Sequence, residues 1–491
     1  MSNKSKNFFK KHYSIIRIIE LVFDLFFIVF SFLLVVQVDA FIHSGDLVVA
    51  IRDLFSNFFK TYINVFSTQM LYIFIILIFF MVYKVSVMRK TYIETMSSAI
   101  IALFVSNVIV IIFSFLVRRV LVSPELIAYT FLSQVIIFGG YKLVLHRFVR
   151  KINKRSVLII GPEEDAKMIA TKFLIDKEDR RCLKYLLFEE KLGDLEKLIC
   201  YIDKVDDVII LHNLDEHIKN NIMTYCLSRN YMDVYLIPKL YEIGIVNSKI
   251  DQIYDTSVFL TQSLHLSITQ RFIKRTFDIV VSLVGLIISL PIFLIVSILI
   301  KLHDKGPVFY KQERTTRGNK PFMLIKFRTM IVDAEKETGA VWQMENDPRI
   351  TKIGKFLRST RLDELPQLYN VLKGEMSIIG PRPEREIFIQ QFVESIPDFK
   401  FRINVKPGIT GLAQVQGKYN STPDDKLRFD LIYIRHYSFL LDLKILFLTV
   451  KAVLDKDSSA TNTIPAFEEI TKDNKIFVRP FTMGLEISEK K

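Results

Sequence analysis

Five long apolar runs constrain this chain more than any other feature. Four lie within the first 150 residues, at 15–38, 63–87, 97–117 and 125–145. Each is close to the ~20 residues needed to cross a bilayer's hydrocarbon core. The flanking cations give an orientation. Lys4, Lys6, Lys10 and Lys11 precede the first run, Lys84, Arg89 and Lys90 follow the second, and Lys142, Arg147, Arg150, Lys151, Lys154 and Arg155 cluster at the end of the fourth. All fall on one side if four helices cross, with Arg118 and Arg119 opposing the rule. The expectation is a module of four transmembrane helices over 1–150 with both ends cytoplasmic. No secretory signal is expected, because the first run is too long for a signal h-region and lacks a cleavage-like site.

The fifth run, FDIVVSLVGLIISLPIFLIVSILIKLHDKG, differs from the others. Lys274 and Arg275 precede it, Lys301 and Lys305 follow it, and Pro291 sits near its middle. Proline removes a helix hydrogen bond and kinks the axis. Each half has about 10–12 residues, roughly 15–18 Å at the α-helical rise, too short to cross a core of ~30 Å. A re-entrant helix over 277–301, broken at Pro291, keeps both ends cytoplasmic. A kinked spanning helix is the alternative, and it places everything after Lys301 outside.

Between the fourth and fifth runs, SVLII, YLLF, DDVIIL and DVYLIP alternate with helix-like segments. This predicts a small parallel α/β domain over 151–262. Its first strand runs into GPEEDA at 161–166, where a dinucleotide fold places GxGxxG, and only one glycine of that pattern is present. Glu163, Glu164 and Asp165 suit a helix start electrostatically but fill the place of a pyrophosphate. A scaffold or homodimerisation domain is therefore preferred to a nucleotide site. After Lys301 comes a charged, motif-dense domain ending near Leu454, then a loosely packed polar tail over 456–491.

The chain has 491 residues and a formal net charge of +14. A basic excess beside apolar segments fits an anionic cytoplasmic leaflet or phosphate-bearing substrates. Nucleic acid is not the expected partner, since no aromatic-and-basic RNA motif occurs and such a partner leaves the apolar runs unexplained. Cys182, Cys200 and Cys226 match no CxxC pattern and indicate a reducing compartment.

The stretch 306–415 carries single cations spaced by apolar residues: Lys311, Arg314, Lys326, Arg328, Arg349, Lys352, Lys355, Arg358, Arg361 and Arg382. Arginines beside Gly and Pro read as forked donors on rigid turns, suited to phosphate oxygens. GxxxxGK[ST], HExxH and GxSxG are all missing. Among these cations lies TRLDELPQL, with adjacent carboxylates Asp363 and Glu364. Read alone, Thr360-x-x-Asp363 is a capping box and Pro366 opens a helix. The chemical alternative makes one carboxylate a covalent nucleophile toward phosphorus and the other a Mg²⁺ ligand.

Over about 274–454 the chain resembles the bacterial sugar transferases, the monotopic polyprenol-phosphate phosphoglycosyl transferases. The resemblance runs in order through KRTFDIVVS, GPVFYKQER, KFRTM, DPRIT, LDELPQLYNVLKGEMSIIGPRP, PGITGLAQV and DLIYI. The whole chain looks like the family's large form, similar to undecaprenyl-phosphate hexose-1-phosphate transferases. That form carries four membrane helices and a degenerate Rossmann-like domain ahead of an α/β monotopic catalytic domain, here 270–455.

The resemblance implies attack by Asp363 on the β-phosphate of a UDP-sugar, release of UMP, and transfer of the phosphosugar to undecaprenyl phosphate. Glucose or galactose is the implied sugar. The implied place is the first step of capsule, exopolysaccharide or O-antigen-type glycan assembly. The catalytic residues so implied are Asp363, Glu364 and Asp430, with Glu364 and Asp363 at Mg²⁺. Lys326, Arg328, Arg358, Pro381, Arg382 and Pro383 bind substrate. The implied location is the bacterial cytoplasmic (inner) membrane, in contact with its lipids, the catalytic domain facing the cytoplasm. The family breaks its re-entrant helix at Ser-Pro, whereas Ser289-Leu290-Pro291 displaces the serine by one.

Two rivals stand against this reading, beside a third possibility, a transferase without the covalent step in which both substrates bind together. A membrane-bound nucleotide-sugar dehydratase needs an intact GxGxxG and a YxxxK, and the matches at Tyr235/Lys239 and Tyr369/Lys373 sit beside Pro238 and inside the transferase motifs. A non-catalytic scaffold for polysaccharide assembly has no need of the Asp-Glu pair.

Overall fold

The computed structural model describes residues 13–44, 92–116, 124–152, 154–175, 181–193, 195–229, 232–246, 248–261, 263–334, 347–417, 422–454, 465–473 and 476–489. They divide into two compact units. Residues up to Ile237 together with those from Pro465 onward form one, and Pro238–Ile464 the other.

In the first unit, three of the four N-terminal apolar runs appear as helices α1 (Tyr13–Ser44), α2 (Tyr92–Leu116) and α3 (Pro124–Ile152). The run at 63–87 lies outside the described residues. Among the described helices, Glu125–Val149 and Ile268–His303 are long and apolar enough to cross a membrane. Helices α1 and α3 are joined by charge as well as by packing. Lys142 Nζ lies 2.8 Å from Glu20 Oε1 and 2.7 Å from Asp24 Oδ1, with all three side chains buried. Ionised groups are tolerated in such surroundings only when paired.

All four expected strands of the middle domain form, as β1 (Arg155–Gly161), β2 (Arg181–Phe188), β3 (Asp207–Ile210) and β4 (Asp233–Leu236). They pair in parallel in the order β2-β1-β3-β4. Continuous burial of Val157 to Ile160 is what a strand covered on both faces requires. Helix α4 (Glu163–Ile175) follows β1 directly.

Two expectations change here. Residues 465–491 are not a loose tail. They supply a helix, Phe467–Asp473, and a hairpin, Ile476–Phe481 with Gly484–Glu489, whose second strand pairs antiparallel with β2 and extends the sheet to six strands. The hairpin's own alternation explains it, since Leu485 and Ile487 pack on the core formed by Ile159, Leu186 and Phe188. The middle domain also stops at Ile237 rather than 262. Residues from 238 to 264 belong to the second unit, tied there by Arg428 Nε on Pro238 O (3.1 Å), Arg435 Nε on Val246 O (2.7 Å) and Asn404 Nδ2 on Leu264 O (3.0 Å).

The second unit is built around one long helix, α5 (Ile268–Asp304). It starts at a capping box, in which Ser267 Oγ accepts from Gln270 N and Gln270 Oε1 accepts from Ser267 N. It remains helical through Pro291 and ends at Lys305 in the left-handed conformation. The helical segment begins nine residues before the expected 277. Both flanks of Pro291 contact the same folded body. On the N-terminal side Lys274 Nζ meets Asp442 Oδ2 at 2.7 Å, Arg275 donates to Val371 O and Leu372 O, and Asp278 Oδ1 accepts from Ser377 Oγ and Ile378 N. On the C-terminal side Val296 and Ile300 pack on Phe327 and Leu357. Between these anchors the helix exposes Ile287, Ile288, Leu290, Leu294 and Ile295.

That body contains an antiparallel hairpin, β5 (Phe309–Thr316) with β6 (Lys320–Phe327), and two short parallel strands, β7 (Ser377–Ile379) and β8 (Gly408–Thr410). Helices α6 (Lys352–Ser359), α7 (Gln367–Lys373), α8 (Pro423–Arg435) and α9 (Phe439–Leu454) close around them. The core gathers Phe322, Leu324, Val371, Met376, Ile378, Ile379, Leu431, Tyr433 and Ile445.

Candidate active site

Asp363 and Glu364 occupy a single 3-10 turn, Leu362–Glu364, between α6 and α7. They are only 7% and 9% exposed, so the pair is not a solvated surface feature. Nor does Thr360 cap a helix start. It terminates α6, and its hydroxyl donates back to Phe356 O at 2.9 Å. Arg361 turns the chain by adopting φ 58°, a left-handed value that costs a residue with a Cβ roughly 1–2 kcal/mol. The turn rests on α7, which Gly374 ends in the left-handed conformation (φ 89°).

Asn370 fixes α7 to β6. Its Oδ1 accepts from Ile325 N at 3.1 Å, and its Nδ2 donates to Met323 O at 2.8 Å and Glu375 Oε2 at 2.7 Å. Lys326 follows Ile325 on the same strand, so this clamp sets where its ammonium lies. Lys326 Nζ reaches Glu364 Oε1 at 3.2 Å, and Arg382 Nη2 reaches the same oxygen at 3.3 Å. Burial alone lifts the Glu364 carboxyl, but Lys326, Arg382 and Arg361 outweigh it and hold it down to about 2. Asp363 is driven the other way. Burial and the adjacent Glu364 raise its carboxyl above the ordinary aspartate range, against the pull of Lys326, Arg358 and Arg361. Two neighbouring carboxylates with opposed environments mark a division of roles. Glu364 is a permanently charged anchor for cations, and Asp363 is an anion poorly compensated by its surroundings.

The remaining cations sort themselves by their partners. Arg358 Nε donates to Thr329 Oγ1 at 2.8 Å, within a framework where Thr351 N donates to Thr329 O at 3.0 Å. Arg328 is buried just past β6, and a Cβ on Gly306 would lie 1.8 Å from its guanidinium, so glycine at 306 makes room for it. Arg349 pairs with its neighbour Asp347 at 2.6 Å. Lys311, Lys352 and Lys355 are exposed. The buried prolines Pro381 and Pro383 flank Arg382, whose side chain points outward to Glu364.

Asp430, which the resemblance puts among the catalytic groups, is paired with Arg402. It is 1% exposed on α8, and its Oδ2 accepts from Arg402 Nε at 2.7 Å. Burial raises its carboxyl, with Arg402 opposing. Arg402, Asn370 and the role of Arg361 were not legible in the motifs. Arg361 stands inside TRLDELPQL, but its left-handed backbone leaves no compositional trace. Among the described residues no group of three His, Cys, Asp or Glu side chains forms a metal cage.

A family profile described as bacterial sugar transferase matches residues 269–456, which hold the dyad and every residue placed around it. An Aeromonas hydrophila UDP-N-acetylgalactosamine-undecaprenyl-phosphate N-acetylgalactosaminephosphotransferase is 40% identical over 227 residues, 46% of this chain and 53% of the relative. A Klebsiella pneumoniae UDP-glucose:undecaprenyl-phosphate glucose-1-phosphate transferase is 36% identical over 291 residues, 55% of this chain and 62% of the relative. A Bacillus subtilis protein, provisionally named undecaprenyl-phosphate N-acetylgalactosaminyl 1-phosphate transferase, is 56% identical over 131 residues. That match takes in 27% of this chain and 73% of the relative. The chain thus spans just over half the length of the first two relatives and nearly three quarters of the third. With a profile match over residues 269–456 and a relative 56% identical that is covered over 73% of its length, the chain belongs to the bacterial sugar transferase family.

Proposed function

We propose that this chain transfers a hexose-1-phosphate from a UDP-sugar to undecaprenyl phosphate and releases UMP, opening the assembly of a capsule, exopolysaccharide or O-antigen-type glycan. The observation that carries this reading is the buried Asp363–Glu364 turn, with Lys326 and Arg382 on Glu364 and with Arg358 and Arg361 acting on Asp363. A carboxylate oxygen of Asp363 forms a bond to the β-phosphorus. The bond from that phosphorus to the bridging oxygen breaks, and its electron pair leaves with UMP. An oxygen of undecaprenyl phosphate then attacks the same phosphorus, the bond to Asp363 breaks, and the carboxylate returns. Raised basicity at Asp363 favours the first bond, while Lys326, Arg328, Arg358 and Arg382 supply donors for phosphate oxygens.

The donor set suits Mg²⁺. Asp363 and Glu364 offer hard oxygens, and Mg²⁺ completes its shell with water and substrate phosphates, so two carboxylates suffice. When bound, the ion neutralises phosphate charge. A second support concerns the membrane. A spanning helix sets its ends ~30 Å apart on opposite sides, whereas both flanks of Pro291 are tied to one polar body. Although α5 stays helical through Pro291, anchors on both flanks in one folded unit favour a re-entrant α5 seated in one leaflet, where a lipid head group and a cytoplasmic nucleotide can meet. The rest of the architecture goes with it: four membrane helices, a degenerate Rossmann-like middle domain able to pair with a second copy, the inner membrane, and a cytoplasmic active site. The dehydratase alternative draws no support from the middle domain, since Glu190 Oε1 accepts from Glu163 N at the start of α4, where a pyrophosphate belongs. The scaffold alternative gives no reason to bury two like charges together.

The test is UMP release from UDP-glucose, UDP-galactose and their N-acetylated counterparts, with Mg²⁺ and undecaprenyl phosphate, in nanodiscs. Release with one sugar, lost in Asp363→Asn, is expected. Equal release by the variant removes Asp363 as nucleophile.

A further inference from the structure

The dyad is served by Arg382, and the backbone around Arg382 is held in turn by two further guanidinium groups, the buried Arg402 and the partly buried Arg314. Arg402 Nη2 donates to Arg382 O at 3.2 Å. Arg314 Nη1 donates to Pro383 O at 3.2 Å. Gly408 N donates to Pro381 O at 2.9 Å, so three consecutive carbonyls of the 381–383 segment are each held by a donor from a different part of the unit. Arg402 is 8% exposed, lies 4.6 Å from the Phe399 ring centroid, and gives its Nε to Asp430 at 2.7 Å. Its fork is therefore divided between a carboxylate and a carbonyl, with Nε on the first and Nη2 on the second. Asp430 keeps this buried cation compensated.

We propose that Arg402 and Asp430 form a positioning pair that fixes the Arg382 backbone and thereby aims the Arg382 side chain at Glu364. The chain of contacts runs Asp430, Arg402, the Arg382 carbonyl, the Arg382 guanidinium, Glu364. Both Arg402 and Asp430 act through Arg382 and not on substrate. The consequence for turnover rests on the transfer reaction above, but the geometry does not.

Two measurements on the full chain in nanodiscs test the pair. The first is a double-mutant cycle in kcat for UMP release. Asp430→Asn and Arg402→Lys are each expected to lose about 10- to 100-fold, the size of a misplacement of roughly 1 Å. Arg402→Lys keeps the buried charge while losing the divided fork, which separates positioning from folding. In an Arg382→Ala background Asp430→Asn should cost less than about threefold, because the group it positions is gone. Fully multiplicative losses overturn the proposal. The second is hydrogen exchange of peptides covering 377–384, expected to quicken in both single variants while β5 and β6 keep their protection. Unchanged exchange at 377–384 overturns it whether or not the protein turns over. A wild type that releases UMP from no UDP-sugar removes the reaction and leaves the exchange result to decide the pair.

Discussion

At the residue scale, the dyad trades stability for reactivity. The attack on phosphorus proposed for Asp363 requires its ionised form, yet burial and Glu364 oppose that ionisation. A native carboxyl raised above its unfolded value costs the fold stability at every pH where both states are charged. That cost vanishes only below the ordinary aspartate value, where both states are neutral. Asp363→Asn is therefore expected to raise Tm at neutral pH, measured without Mg²⁺, with the gain shrinking as pH falls through the raised native value. The same variant should lose UMP release by on the order of 10³-fold or more. A lower Tm at pH 7 would mean that Asp363 is a structural partner of its cations. Arg361 offers the complementary case. Its left-handed backbone (φ 58°) disfavours a Cβ, and its charge helps hold Glu364 ionised. Arg361→Gly should keep or gain roughly 1 kcal/mol of stability while turnover falls, whereas Arg361→Val should lose both. Thermal unfolding beside UMP release separates the two effects.

At the scale of elements, the sequence carried more than its periodicities suggest. The four strands of the middle domain and α5 were readable because each is apolar and bounded by turns or charges. The dyad was readable only as a chemical oddity among motifs. What periodicity could not show is why the polar residues of KRTFD stand in α5 just before its apolar stretch. Lys274, Arg275 and Asp278 each reach a different element of the second unit: a carboxylate on α9, two carbonyls in the last turn of α7, and the start of β7. Such pairings join residues about 100 or more positions apart and leave no local pattern. They also predict a specific energetics. Lys274 and Asp442 are both buried, and Tyr433 Oη donates to Asp442 Oδ1 at 2.8 Å. Lys274→Met strands that carboxylate and should cost about 3–5 kcal/mol, whereas Lys274→Met with Asp442→Asn should recover most of the loss. Chemical unfolding of the two variants in nanodiscs measures it, and equal losses in both would show that the pair does no more than fill space.

At the scale of the whole molecule, the least legible feature is where the chain ends. The segment 456–491 reads as polar because its first eight residues, Lys456 to Thr463, are Lys, Asp, Ser, Ala, Thr and Asn, and the apolar residues that follow are short runs and, in Leu485 and Ile487, an alternating pair. Alternation over six residues is a weak signal by itself, and its meaning depends on an edge supplied by β2, nearly 300 residues earlier. The consequence is that the catalytic segment is inserted into the middle domain's sequence, between β4 and the C-terminal hairpin. Removing 465–491 should uncover the β2 edge together with Leu186 and Phe188, a hydrophobic strand edge of the kind that drives aggregation. A gentler variant isolates the pairing. Gly484 lies against β2 so closely that a Cβ would sit 1.8 Å from Leu186 O. Gly484→Val should therefore unzip the hairpin while leaving every catalytic side chain in place. Faster hydrogen exchange across 181–188 and 476–489, with 309–327 unchanged, is the expected result. If 181–188 stays protected in Gly484→Val, the hairpin is an ornament on a sheet complete without it, and the middle domain closes at β2 after all.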